Sequence, residues 1–95
     1  MNKYEMMFIV RPDMEEADIR KTAESMKKVL TDSKAKILEE KAMGQKELAY
    51  EINKLTTGYY YLFKVEASSK AEQEFNRVAR INESILRHLI VKVEE

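Results

Sequence analysis

The chain has 95 residues, 44% of them hydrophobic, enough for one domain (1–95) with a modest core and no covalent staples. Its 17 basic residues balance 17 acidic ones, which counts against a protein that grips nucleic acid by bulk charge alone. There is no cysteine, which excludes a disulfide framework and thiolate metal sites and points to a reducing compartment, the cytoplasm.

The opening run MNKYEMMFIV lacks the small-residue cleavage site of a signal peptide and is too short to span a bilayer. Residues 3–10 alternate as a strand does, with Tyr4, Met6, Phe8 and Val10 on one side and Lys3, Glu5, Met7 and Ile9 on the other. "RPD" stops it, and Asp13 with Glu16 has the spacing of a capping box. Ile19, Ala23, Met26 and Leu30 then recur at helical spacing as far as Asp32. Residues 35–43 form a charged strand that continues past Gly44, where Leu48, Tyr50 and Ile52 share a face. One long strand, bent or bulged near Gly44, is the expectation.

"NKLTTG" reads as a hairpin connection and Tyr59 to Ala67 as the next strand. Ser69 with Glu72 gives a second capping box, opening a helix that carries Ala71, Phe75, Val78 and Ala79. After the turn "RINES", "ILRHLIVKV" is the last strand. This order predicts an α+β, ferredoxin-like split βαβ fold (β-α-β-β-α-β), a four-stranded antiparallel sheet with two helices on one face. The first and third strands are then central neighbours, and the second and fourth are edges.

Three consecutive tyrosines in "GYYYLF" raise the question of which face is wet. Odd positions of that strand read Tyr59, Tyr61, Phe63, Val65 and Ala67, and even positions read Tyr60, Leu62, Lys64 and Glu66. The odd set faces the helices, and Tyr60 points away. Register follows from charge: Lys3 opposite Glu66 and Glu5 opposite Lys64 are favourable, whereas sliding one pleat repeat opposes like charges. Met7, Ile9, Tyr60 and Leu62 then cluster on the open face, as ordinary surface apolarity or as a partner-binding patch.

Catalytic signatures are missing: no GxGxxG, phosphate loop, GxSxG or HExxH. His88 is the only histidine and reads as structural or surface rather than as an acid/base. The adjacent pairs Glu39/Glu40 and Glu94/Glu95 read as solvated surface, and nothing supports a metal or a cofactor. "TGYYYLFK" shares a glycine and two aromatics with the third strand of the RNA-recognition motif. It departs at Tyr60 and Lys64, and its facing buries the residues that would stack.

Five stretches carry a wider resemblance: "YE" in the first strand, "RPD" after it, "LAYEI", "GYYYLFKVEA" and "RINESILRHLIVKVE". In order and spacing the chain resembles the family of the sixth protein of the bacterial small ribosomal subunit. Glu51 stands where that family often has proline, "QKE" where it is often doubly basic, and the charged tail of many members is missing. The resemblance implies a structural protein, not an enzyme, that binds small-subunit ribosomal RNA as a heterodimer with ribosomal protein eighteen. It implies no membrane and no small-molecule substrate.

Charge placement suggests where RNA would lie. Residues 77–93 hold four cations and one anion, a net of +3, while residues 13–32 hold four cations and six anions, a net of −2. Arg77, Arg80, Arg87 and Lys92, with Lys3, are therefore the candidate RNA contacts. Arg80 and Arg87 are expected to reach one stretch of phosphate backbone across the short turn. Tyr50, Tyr60 and Leu62, beside the second-strand edge, are the candidate partner contacts. A different class remains open: a small ferredoxin-like ligand-sensing or enzyme domain that dimerises through its sheet face, with His88 as its only pocket candidate.

Overall fold

Alternation along the first strand, β1 (Asn2–Val10), sets the layering: Tyr4, Met6, Phe8 and Val10 are buried on the side that meets the helices. The computed structural model describes residues 2–52 and 54–93, so Asn53 of the expected hairpin connection and the Glu94/Glu95 pair lie outside the described residues. After β1 come α1 (Glu16–Asp32), β2 (Lys36–Ile52), β3 (Leu55–Ala67), α2 (Ser69–Ile81) and β4 (Ile85–Val93). The strands form one antiparallel sheet in the order β2-β3-β1-β4. This is the ferredoxin-like arrangement the element order predicts, with β2 and β4 as edges.

The predicted register of the central pair holds: Lys3 lies opposite Glu66, Glu5 opposite Lys64, Met7 opposite Leu62 and Ile9 opposite Tyr60. The charges act as expected, since Lys64 reaches Glu5 at 4.0 Å, and Glu39 of β2 joins at 3.3 Å. Hydrogen bonding from Lys64, aided by the Lys41 charge, holds the Glu39 carboxyl below the ordinary carboxylate range. Glu40 points to the other layer, where Lys27 of α1 pairs with it at 3.2 Å.

Ile19, Ala23, Met26 and Leu30 of α1 and Ala71, Phe75 and Ala79 of α2 are buried against the sheet. At the centre, the Phe8 ring stacks on Tyr61 at 5.4 Å and meets Phe63 and Phe75 edge-on at 5.3 and 6.1 Å. Tyr59 and Tyr61 thus pack against the core, as the strand alternation requires.

Three local expectations are corrected. Asp13 does not cap α1, because Arg11 claims its carboxylate with hydrogen bonds of 2.7 and 3.1 Å. Those bonds hold the Asp13 carboxyl below its usual range, and Glu15 is the N-cap residue without a side-chain cap bond. The cap of α2 is Ser68 rather than Ser69, its hydroxyl accepting from the Ala71 amide at 3.3 Å. "LTTG" is strand rather than connection: Ile52 pairs with Leu55, so the chain reverses tightly at Lys54, whose φ is +66°.

Two glycines shape the long hairpin. Gly44 adopts φ +82° at a bulge in β2, a conformation glycine takes without a side-chain clash. At Gly58 a Cβ would overlap the Ile9 Cγ2 methyl and approach the Val10 carbonyl oxygen to 3.4 Å. Without a side chain there, β3 passes over the end of β1, and the hairpin beyond reaches across the sheet.

Candidate functional site

Residues directly opposite each other in a pleated pair share a face, so the pairing of β4 with β1 assigns every β4 side chain to a layer. Arg87, Leu89, Val91 and Val93 lie opposite Ile9, Met7, Glu5 and Lys3, on the open face. His88, Ile90 and Lys92 lie opposite Phe8, Met6 and Tyr4, on the helix side.

The candidate RNA residues therefore divide. Lys3 and Arg87 belong to the open face, while Lys92 joins the layer of α2, which carries Arg77 and Arg80. The structure does not bring Arg80 and Arg87 to one surface. They belong to opposite sides of the sheet: Arg80 is on α2, in the helix layer where its charge acts on His88, and Arg87 shares the open face with Ile9. Arg77, Arg80, Arg87 and Lys92 are all exposed, and Arg77 is held by Glu74 one helical turn back.

Arg87 instead meets a residue assigned to the other ligand. Its guanidinium carbon lies 4.8 Å from the centre of the Tyr50 ring. Tyr50 is on β2 and Arg87 on β4, so the far hairpin spans the end of the sheet to make this cation–π contact. Tyr60 and Leu62 are half-buried on the open face, and the Tyr60 hydroxyl reaches the Glu47 carbonyl at 3.5 Å. The three candidate partner residues thus border one surface, with Met7 at its middle.

Sequence reasoning missed the β4 side of that surface. Leu89, Val91 and Val93 are 54, 46 and 37% exposed and extend the apolar patch to the β4 edge. The odd positions of "ILRHLIVKV" carried the signal, but reading it requires the register with β1. Leu48 also belongs to this end of the sheet, its Cδ2 lying beside Gly58.

His88 lines none of the described grooves. Its Nε2 lies 2.6 Å from Asn76 Oδ1 on the seam between β4 and α2. A groove of about 340 Å³ between α1 and β2, lined by Arg20, Ala23, Lys27, Glu40, Tyr61 and Phe63 among others, does not reach it. Burial, with the Arg80 charge second, pushes the imidazole below the usual 6.5. The unfolded chain then takes up this proton before the folded one does. Stability from neutral His88 is present above 6.5 and is lost as pH falls through the lower folded value. Chemical denaturation across this range should show that loss, and His88→Gln should remove the part that His88 contributes.

Comparison with known proteins fits this arrangement. A sequence model of one family, described as Ribosomal protein S6, matches residues 3–92. The chain belongs to the ribosomal protein S6 family. Its fold is also that of the crystal structure of 30S ribosomal protein S6 from Thermotoga maritima, with a TM-score of 0.92 and 29% sequence identity. That match covers 97% of this chain and 87% of the other. A ribosomal protein S6 is a structural component of the small ribosomal subunit and acts in translation, not as an enzyme. Family membership sets aside the reading of a ligand-sensing or catalytic domain.

Proposed function

We propose that this chain works as a two-sided adaptor in the cytoplasmic ribosome. It holds small-subunit ribosomal RNA with the α2 and β4 cations on the helix side, and ribosomal protein eighteen with the open sheet face. The alternation along β4 carries the reading: cationic Lys92 falls beside the Arg80 layer, and apolar Leu89, Val91 and Val93 fall with Met7 and Leu62. Phosphate contacts need exposed cations and little apolar surface, whereas a stable protein contact needs the reverse at its centre.

Zero net charge fits a division of labour in which the partner supplies much of the cationic surface. Arg80 and Lys92 are the principal phosphate contacts in this reading, with Arg77 weaker because Glu74 already occupies its guanidinium. Lys3 and Arg87 serve the partner side, where they flank the apolar patch.

The test is a salt series of RNA-fragment binding with the partner present. Arg80→Ala combined with Lys92→Ala should lower the slope of log affinity against log salt by roughly two, about one per lost phosphate contact. Glu16→Ala, in the acidic start of α1, should leave it unchanged. Unchanged slopes for the double variant would move the RNA surface elsewhere.

A further inference from the structure

The two edges of the sheet are built differently. β2 is bulged at three places, turns at Gly44 with φ +82°, and carries Lys36, Glu39, Lys41, Lys46 and Glu51. Bulges and mixed charges are how an edge strand is kept from pairing with another chain. β4 has one irregularity, between Ile9 and Val10 of its neighbour, and from Arg87 to Val93 its register with β1 is unbroken. It has no proline and no acid, and 54% of Leu89 and 46% of Val91 remain in water. Every second residue of such an edge turns its N–H and C=O outward, where only another strand can pair them all.

We infer that the outer edge of β4 is a strand-addition site for an extended segment of another protein that alternates apolar with acidic residues. The two side-chain rows of β4 dictate that alternation. On the open side, an added strand lies beside Leu89, Val91 and Val93, and apolar side chains there bury surface now exposed. On the helix side it lies beside His88 and Lys92, with the Arg80 charge acting on the same row. Carboxylates are the matching choice there.

A second copy of this chain fits poorly by the same rule. Antiparallel pairing about Ile90 sets His88 of one protomer against Lys92 of its partner and leaves Arg80 without an acidic neighbour on the added strand. The RNA reading shares Lys92 and Arg80 with this row but uses neither the edge backbone nor Leu89, Val91 and Val93, and the titration contains no RNA, so either can fail alone.

The experiment is a nuclear magnetic resonance titration of the full chain with two capped peptides, each matching the 9 residues of β4. One alternates valine or threonine with glutamate, and the other replaces the glutamates with lysine. Both are taken to about 1 mM, where weak binding is visible. The acidic peptide should shift amides in residues 87–93 and bind about tenfold more tightly than the basic one. Leu89→Lys should weaken it about tenfold, Lys92→Glu should narrow or reverse the preference, and Lys41→Glu on β2 should change nothing. Shifts centred on β2, equal affinity for both peptides, no shift with either, or dimerisation of the chain through β4 in sedimentation would each overturn the inference.

Discussion

Phe8→Ala is expected to lower unfolding stability by about 3–5 kcal/mol, a large share of the roughly 5–15 kcal/mol typical of a domain. Phe8 is completely buried and is the one ring that touches Tyr61, Phe63 and Phe75. It also lies opposite Tyr61 of β3 and His88 of β4, so one side chain supports both central pairings. Truncation removes the transfer free energy of the ring and opens a space that rigid neighbours fill only in part. Urea denaturation followed by circular dichroism measures the loss. Phe8→Leu should cost clearly less, because it keeps most of the volume. A loss under about 1 kcal/mol for Phe8→Ala would mean that the four-ring cluster collapses around the gap and does not hold the sheet.

The sheet was legible in the sequence wherever two strands could be read against each other. Charges at Lys3, Glu5, Lys64 and Glu66 selected one register of β1 with β3, and the structure has it. The apolar odd positions of β3, which continue through Phe63, Val65 and Ala67, placed Tyr59 and Tyr61 inside. Helix starts were less legible, because a capping residue must be free to cap. Asp13 has the right spacing, but Arg11 engages it from two residues away, and Ser68 competes with Ser69 for the cap of α2.

The candidate site was legible residue by residue but not in its grouping. Arg80 and Arg87 are close in the chain, but Arg80 stays in the helix layer while the pleat of β4 turns Arg87 to the open face. Tyr50 and Arg87 are far apart in the chain, and the hairpin joins them. That joining depends on the close pass of Gly58 over Ile9, which no local pattern announces. Leu89, Val91 and Val93 were hidden for a related reason. An edge strand's alternation tells which residues share a face, while only its partner tells which face is open.

The second large effect is expected at that corner. Tyr50→Ala should weaken partner binding by about 2 kcal/mol or more, roughly thirtyfold, while leaving the fold intact. Tyr50 is 53% exposed, so its removal costs the free protein little. On docking, the ring and the Arg87 guanidinium would leave water together. A cation–π contact contributes about 0.5–1 kcal/mol when exposed and about 2 when desolvated. Coupling between Tyr50→Ala and Arg87→Ala, measured as a double-mutant cycle, should therefore be small for unfolding of the free chain and larger for partner binding. Tyr50→Phe keeps the ring and should retain most of the affinity. Isothermal titration with purified partner gives all four values, and Arg80→Ala serves as the variant from the opposite face. If Tyr50→Ala leaves partner affinity within about twofold while Arg80→Ala lowers it by about 1 kcal/mol or more, the two faces have exchanged roles. The apolar stripe on β4 would then need another occupant.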